Sequence, residues 1–169
     1  MFIKPSSLGS SIGISRVSGR CEFESAYENA RKLCQRILIE EAIAIHKELE
    51  CAYLFSDNLH RYEVGEVCAD GQFYDFEKKY EKDTKTLVFD GKTDIKEKIV
   101  AYSDSLREAI GIRALSRFDF FLAKNGEVYF NEINALPGMT KTSLYPILAE
   151  KMGFDEGEFI NVLISEALL

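Results

Sequence analysis

The stretch Tyr129 to Met139, YFNEINALPGM, is an alternating, aromatic-rich run that ends on an acid and an amide before Pro137-Gly138 breaks it. Glu132 and Asn134 stand two apart, so on a strand they share a face. Upstream, RFDFFLAKNGEVYFNEIN holds two alternating runs separated by Asn125-Gly126. That is the strongest short signal for a hairpin with a two-residue type I′ turn. Such a turn pairs Lys124 with Glu127, sets Asp119 directly opposite Glu132, and sets Arg117 opposite Asn134. Carboxylates placed opposite each other repel. Two carboxylates and an amide oxygen on one face form a hard-oxygen site of the kind Mg²⁺ accepts while keeping waters and substrate phosphates. Arg117 beside them suits an anion or a developing negative charge. The competing explanation is an ordinary solvated sheet face. The same register is expected to put Phe121, Val128 and Phe130 on that face, and acids clustered beside apolar neighbours usually have a partner.

The elements that must hold this hairpin can be read along the chain. Phe2-Ile3-Lys4 reads as a strand end, PSSLGSSIG as a Gly/Ser loop, and IGISRV as extended. Residues 22–36 carry apolar side chains at helical spacing (Phe23, Tyr27, Ala30, Leu33, Cys34, then Ile37). RILIEEAI and ELECAYLFSD read as strands, the second followed by HRYEVGEVCAD. Residues 71–92 are polar, aromatic and irregular, a long loop of the kind that carries function. Thr93 or Asp94 caps a second helix through Ile110, with Ile95, Ile99, Tyr102, Leu106 and Ile110 as its buried stripe and Gly111 as its stop. After the hairpin, TKTSLYPILAEKMG opens a helix, and residues 155–168 form another. The pattern is α+β, antiparallel sheets flanked by helices.

Composition limits the function classes. The chain has 169 residues, 46% of them hydrophobic, with a net charge of −7 and no basic stripe. A real core is expected, and neither nucleic acid nor an anionic membrane is an expected partner. No apolar run is long enough to span a bilayer and no signal-peptide pattern opens the chain. Cys21, Cys34, Cys51 and Cys68 are widely spaced without C-x-x-C. They read as buried thiols in a reducing cytoplasm, not as zinc ligands or a disulfide framework. The opening MFIKPSS starts as if in mid-sheet, which suggests a piece of a longer protein.

The Gly/Ser loop admits two chemistries. Gly9-Ser10-Ser11-Ile12-Gly13 fits the G-x-S-x-G nucleophile elbow, but that elbow needs a helix after it, and IGISRV is extended. A triad in chain order would also need Asp57 and His60, which are only three apart. The other reading is a phosphate cover: small residues let backbone N–H groups approach phosphate oxygens, and Lys4 just before the loop supplies a point charge. Glu40 closes the apolar strand LIEE, where the edge of the sheet can hold an adenine rim, with Glu48 further on for ribose hydroxyls.

Together these residues resemble the ATP-grasp superfamily and, within it, the D-alanine–D-alanine ligases. The carriers are KPSSLGSSIG, LIEE, FYDFEKKY, RFDFFL and FNEINALPGMTKTSLYP, the last being highly specific. The resemblance covers essentially the whole chain. It implies the second part of the central ATP-grasp subdomain in residues 1–48 and the C-terminal subdomain in 49–169, with a mobile loop at 71–92. It implies ATP- and Mg²⁺-dependent joining of two D-alanines through an acyl phosphate, for peptidoglycan precursors, in the cytoplasm, by a parent that is a homodimer. The implied roles are phosphate binding by Lys4 and an adenine and ribose pocket from Glu40, Ile43 and Glu48, with Glu50 as the alternative acid. Phe73 and Lys79 on the loop face the nucleotide. Asp119, Glu132 and Asn134 hold two Mg²⁺, for which Mn²⁺ can substitute. Arg117 and the Gly138 backbone N–H stabilise the oxyanion, Ser143 and Leu144 receive the second substrate's carboxylate, and Ser10 bonds Tyr80 to close one loop on the other. A tyrosine at position 80 goes with an amino acid as second substrate. Glu41 departs from the pattern, since many members have lysine there. The N-terminal residues that bind the first D-alanine, and another ATP lysine, have no counterpart here, so the 169 residues alone are expected to be inactive.

Overall fold

The computed structural model describes residues 1–9, 11–56, 59–68, 85–140 and 143–168. Two units emerge, one centred on residues 1–44 and one on residues 45–68 with 85–168. The first holds a three-stranded antiparallel sheet in the order β2-β1-β3, from β1 (Phe2–Pro5), β2 (Ser15–Arg16) and β3 (Ile37–Glu40). Helix α1 (Arg20–Leu33) covers one face of that sheet. Ala26 and Ala30, one turn apart, let the helix approach closely, and they bury Ile3 and Val17 with Phe23, Tyr27 and Ile37 around them. Leu33, expected in that stripe, is exposed. Gly13 sits at φ +76°, and a Cβ there would meet Leu33 Cδ1 at 2.6 Å and Pro5 Cγ at 2.9 Å. Small size and the left-handed backbone are therefore both required at that position. An extended strand follows the loop, so the nucleophile-elbow context is absent here.

The second unit is a five-stranded antiparallel sheet in the order β6-β5-β4-β7-β8. Its strands are β4 (Ile45–Ser56), β5 (Leu59–Cys68), β6 (Lys85–Val88), β7 (Ala114–Ala123) and β8 (Val128–Asn134). β4 runs unbroken from Ile45, which joins residues 45–48 to this sheet, ahead of the division expected after Glu48. Residues 85–88, expected within the long irregular loop, pair with β5 as its edge strand. Alternation along β4 sorts two cores. Leu49, Cys51 and Tyr53 pack with Phe118, Phe120, Leu122 and Ile99 of α2 (Thr93–Ile110). Ala52 and Leu54 point the other way, onto Tyr145, Leu148 and Ala149 of α3 (Leu144–Lys151) and Phe159 of α4 (Glu156–Ala167).

Helix ends follow their local chemistry. α2 begins at Thr93 with Lys92, not Thr93 or Asp94, in the capping position, and it ends on Gly111 at φ +74°. The Gly111 and Ile112 N–H groups both bond the Arg107 carbonyl. Within α2, Tyr102 and Ile110 are exposed, against expectation. Ser103 takes a buried place instead, donating its hydroxyl to the Ile99 carbonyl at 2.9 Å. That bond satisfies a polar group that burial would otherwise penalise. α4 opens with a capping box between Asp155 and Glu158. No described helix is long and apolar enough to cross a membrane.

The turn that joins β7 and β8 uses a glycine at φ +86°, Gly126, with open space around its Cα. Gly126→Ala should therefore cost about 1 kcal/mol through backbone strain alone. Urea unfolding checks this: the midpoint falls with an unchanged slope. An unaltered midpoint would show that the turn tolerates a side chain.

Candidate functional site

The hairpin register decides which side chains meet. Gly126 N–H bonds the Ala123 carbonyl and Ala123 N–H bonds the Glu127 carbonyl. The connection is thus three residues, Lys124-Asn125-Gly126, with glycine in the left-handed position, not the two-residue type I′ turn expected. Pairing near the turn runs Leu122 to Val128 and Phe120 to Phe130, one residue off the expected frame. A bulge at Asn131 then restores it. Asp119 pairs with Glu132, and Arg117 pairs with Asn134, as expected.

The same bulge changes what lies beside the acids. Val128 belongs to the core with Phe118, Phe120 and Leu122, and the Phe130 ring meets Phe120 edge-on at 5.8 Å. Val128 and Phe130 therefore lie on the α2 side of the sheet, away from Glu132, contrary to the expectation of a shared face. Only Phe121 retains its expected place beside Asp119.

Sequence reasoning missed how far the acidic row extends. Glu50 of β4 pairs with Asp119, which pairs with Glu132, so three carboxylates stand abreast across β4, β7 and β8. The alternation in Glu48-Leu49-Glu50 was the available signal. Arg117 answers this row. Its Nε and Nη2 donate to Asp119 Oδ1 and Oδ2 at 2.7 and 2.8 Å, and its Nε lies 3.3 Å from Glu50 Oε2. Asn134 Nδ2 donates to Asp119 Oδ2 at 3.0 Å. Side-chain exposure is 17% for Arg117, 14% for Asp119 and 10% for Glu50, so water screens these charges poorly. Burial alone would lower the Arg117 pKa. The bonds and charge of Asp119, then the charges of Glu50 and Glu132, outweigh burial and raise it above the ordinary arginine value. Glu132 itself is exposed.

The donor set has the chemistry of a hard-cation site, since Asp119, Glu132 and Asn134 offer carboxylate and amide oxygens. Among the described residues no group of three or more His, Cys, Asp or Glu is arranged to hold a metal ion, and the third donor here is an amide. Both Asp119 oxygens already accept from Arg117, and Oδ2 also from Asn134, so a cation at Asp119 competes with that fork for the carboxylate's charge.

Past β8, Pro137 is buried and Gly138 is exposed. A Cβ on Gly138 would come within 2.9 Å of Ser143 Oγ, so a side chain there would push the serine hydroxyl aside. Ser143 Oγ accepts from Thr140 N–H at 3.0 Å and meets Thr140 Oγ1 at 2.8 Å. Ser143 is the residue before α3, and Leu144 is the first residue of that helix. Glu48, half-buried on β4, pairs with Phe121. A shallow cavity of about 500 Å³ lined by Leu59, Arg61, Met152 and Phe154 includes none of these residues.

In the first unit, Lys4 Nζ and Glu40 Oε2 form an ion pair at 2.8 Å on the sheet face away from α1. Ile43 is half-buried in the segment after β3. Ser10, Phe73, Lys79 and Tyr80 lie outside the described residues. Of the described thiols only Cys51 is buried, and burial pushes it up to about 12. Cys34 lies against the Gly/Ser loop. The Ser7 hydroxyl, 3.1 Å away, and the Arg36 backbone lower its pKa to about 7.

The family model described as "D-ala D-ala ligase C-terminus" matches residues 1–165. The chain belongs to that family. A D-alanine–D-alanine ligase of Streptococcus pyogenes is 37% identical over 169 residues, covering 99% of this chain and 48% of that protein. The crystal structure of D-alanyl-alanine synthetase A from Vibrio cholerae superimposes with a TM-score of 0.85 at 32% identity, covering 98% of this chain and 51% of that one. The VanG D-Ala:D-Ser ligase of Enterococcus faecalis gives 0.79 at 29% identity, covering 97% and 48%. The chain thus spans about half the length of the curated relatives it matches. The fold is the ATP-grasp α+β arrangement of these ligases.

Two outcomes follow from this ligase-family site. Arg117→Met takes away the guanidinium that Asp119 and Glu50 share and should cost about 3 kcal/mol in urea unfolding. A loss below about 0.5 kcal/mol would show that water already compensates them. For Cys34, the lowered pKa means that the thiolate is present near neutrality. Iodoacetamide labelling read residue by residue through peptide mass mapping should reach half its maximal rate near pH 7, with Cys51 unlabelled. A Cys34 midpoint near the usual thiol value contradicts the role of Ser7.

Proposed function

We propose that this chain is the nucleotide- and cation-binding half of a cytoplasmic enzyme that uses ATP to join two D-alanines, supplying peptidoglycan precursors. The observation that carries the reading is the pairing of Asp119 with Glu132 and Arg117 with Asn134 in a chain matched by the ligase family over residues 1–165. The relatives' names and the ATP-grasp fold support the reaction class.

In this reading Asp119, Glu132 and Asn134 would hold two Mg²⁺, which neutralise phosphate charge and orient the terminal phosphoryl group. Lys4 supplies a point charge to the phosphates, and its pairing with Glu40 holds it ready. Glu40 and Ile43 border the adenine, and Glu48 takes the ribose hydroxyls. Phe73 and Lys79 also serve the nucleotide in this reading. The carboxylate of the first D-alanine attacks the terminal phosphoryl group, ADP leaves, and an acyl phosphate forms. The amine of the second D-alanine attacks that carbonyl. Arg117 and the Gly138 N–H stabilise the oxyanion, phosphate departs, and the dipeptide remains. Ser143 and Leu144, at the start of α3, suit the second substrate's carboxylate because helix N-terminal N–H groups favour anions. Ser10 and Tyr80 close the loops and keep water from the acyl phosphate. The VanG likeness favours one second reading, with D-serine as the second substrate.

Two measurements test this. Mn²⁺ titration of the chain should show binding that Glu132→Gln weakens at least about tenfold. No Mn²⁺ binding would remove the cation site. In the natural polypeptide containing this chain, ADP release from ATP should depend on D-alanine. Release driven by D-serine alongside D-alanine would select the second reading, and release with neither amino acid would sink both.

A further inference from the structure

Arg117 has two carboxylate neighbours on two different strands, and only one of them belongs to the expected cation set. Asp119 takes the guanidinium in a fork, while Glu50 Oε2 lies 3.3 Å from the same Nε. Glu50 is 7% exposed, the most buried acid of the row. The row creates a conflict, because Asp119 is asked to serve both the arginine and a divalent cation. When a cation draws Asp119, a mostly buried guanidinium loses its strongest bonds, and an uncompensated buried charge is strongly unfavourable. We propose that Glu50 is a positioning residue that keeps Arg117 on the sheet face when Asp119 turns to a divalent cation. The inference rests on the reading of Asp119, Glu132 and Asn134 as cation ligands, and it assigns Glu50 a role apart from nucleotide binding.

The geometry fits a hand-over. Glu50 and Asp119 are paired neighbours on β4 and β7, so their side chains rise side by side. The Arg117 Nε already lies within reach of both acids, 2.7 Å from Asp119 Oδ1 and 3.3 Å from Glu50 Oε2. Held there, the guanidinium keeps its planar donors beside the cations, where a developing negative charge would meet them. A lysine at 117 would lack the planar fork that grips Asp119 through two parallel bonds.

The test follows the Arg117 Nε–Hε resonance in ¹⁵N NMR of the full chain during Mg²⁺ titration. In the unsubstituted chain the resonance should persist at saturating Mg²⁺. In Glu50→Gln it should be present without Mg²⁺ and exchange with solvent at least about tenfold faster once Mg²⁺ binds. Glu50→Asp should restore part of the protection. A glutamate with a merely structural role would change thermal stability but not this response, and identical titrations of the two proteins would overturn the proposal. If the chain binds no Mg²⁺, the cation reading fails separately, and Asp119→Asn stands in for the cation. The Arg117 signal should then survive in Asp119→Asn and be lost in Asp119→Asn/Glu50→Gln. Survival in both overturns the role of Glu50. Should Glu50→Gln not fold, Glu50→Asp gives the same comparison, with protection reduced under Mg²⁺ expected and unchanged protection contradicting the proposal.

Discussion

One guanidinium governs this sheet. Three carboxylates abreast on adjacent strands stand about 5 Å apart in such a register. At an effective dielectric constant of 20 each neighbouring pair repels by about 3 kcal/mol. A counter-charge in the row offsets that repulsion. Arg117 supplies it through a fork to Asp119 and a contact to Glu50, and its own raised pKa reflects the same interaction seen from the arginine. The row gathers carboxylate oxygens beside a guanidinium, a surrounding in which a divalent ion beside a nucleotide finds hard donors. The ligase reading therefore depends on electrostatics that the fold has already imposed.

Much of this was legible in the residue order, and the part that was not has a physical cause. Alternation along RFDFFL and YFNEIN marked the hairpin, and the partners of Asp119 and Arg117 were correct. They were correct because two departures cancel. The turn takes three residues with Gly126 in the left-handed region, and Asn131 adds one residue on the opposite strand. Asn-Gly suits either turn, and nothing in the local sequence forces a bulge. Propensity alone could not separate the two registers. The face occupied by Val128 and Phe130 shows the consequence, because a single inserted residue moves every side chain between it and the turn to the other side.

Helices were placed by periodicity, but their buried stripes were misjudged where tertiary packing decided them. Ser103 is buried because its hydroxyl bonds back to Ile99, a local option that hydropathy does not register. Tyr102 and Ile110 lie outside the core because α2 lies over Leu49, Cys51 and Phe118, and only Ile95, Ile99 and Leu106 of the expected stripe reach them. In the sequence Glu50 reads only as an alternative ribose-binding acid. Its pairing with Asp119 depends on how β4 meets β7, two strands separated by residues 57–113, beyond the reach of local pattern reading.

The central claim is that the Asp119, Glu132 and Asn134 end of this hairpin receives divalent cations beside Arg117. The most direct measurement is a crystal structure of the chain grown with Mn²⁺ and a non-hydrolysable ATP analogue, with data collected at the manganese absorption edge. The account predicts anomalous peaks bonded to Asp119, Glu132 and Asn134, with Arg117 resting on Glu50. Manganese bound elsewhere, with the Arg117–Asp119 fork intact, would contradict it.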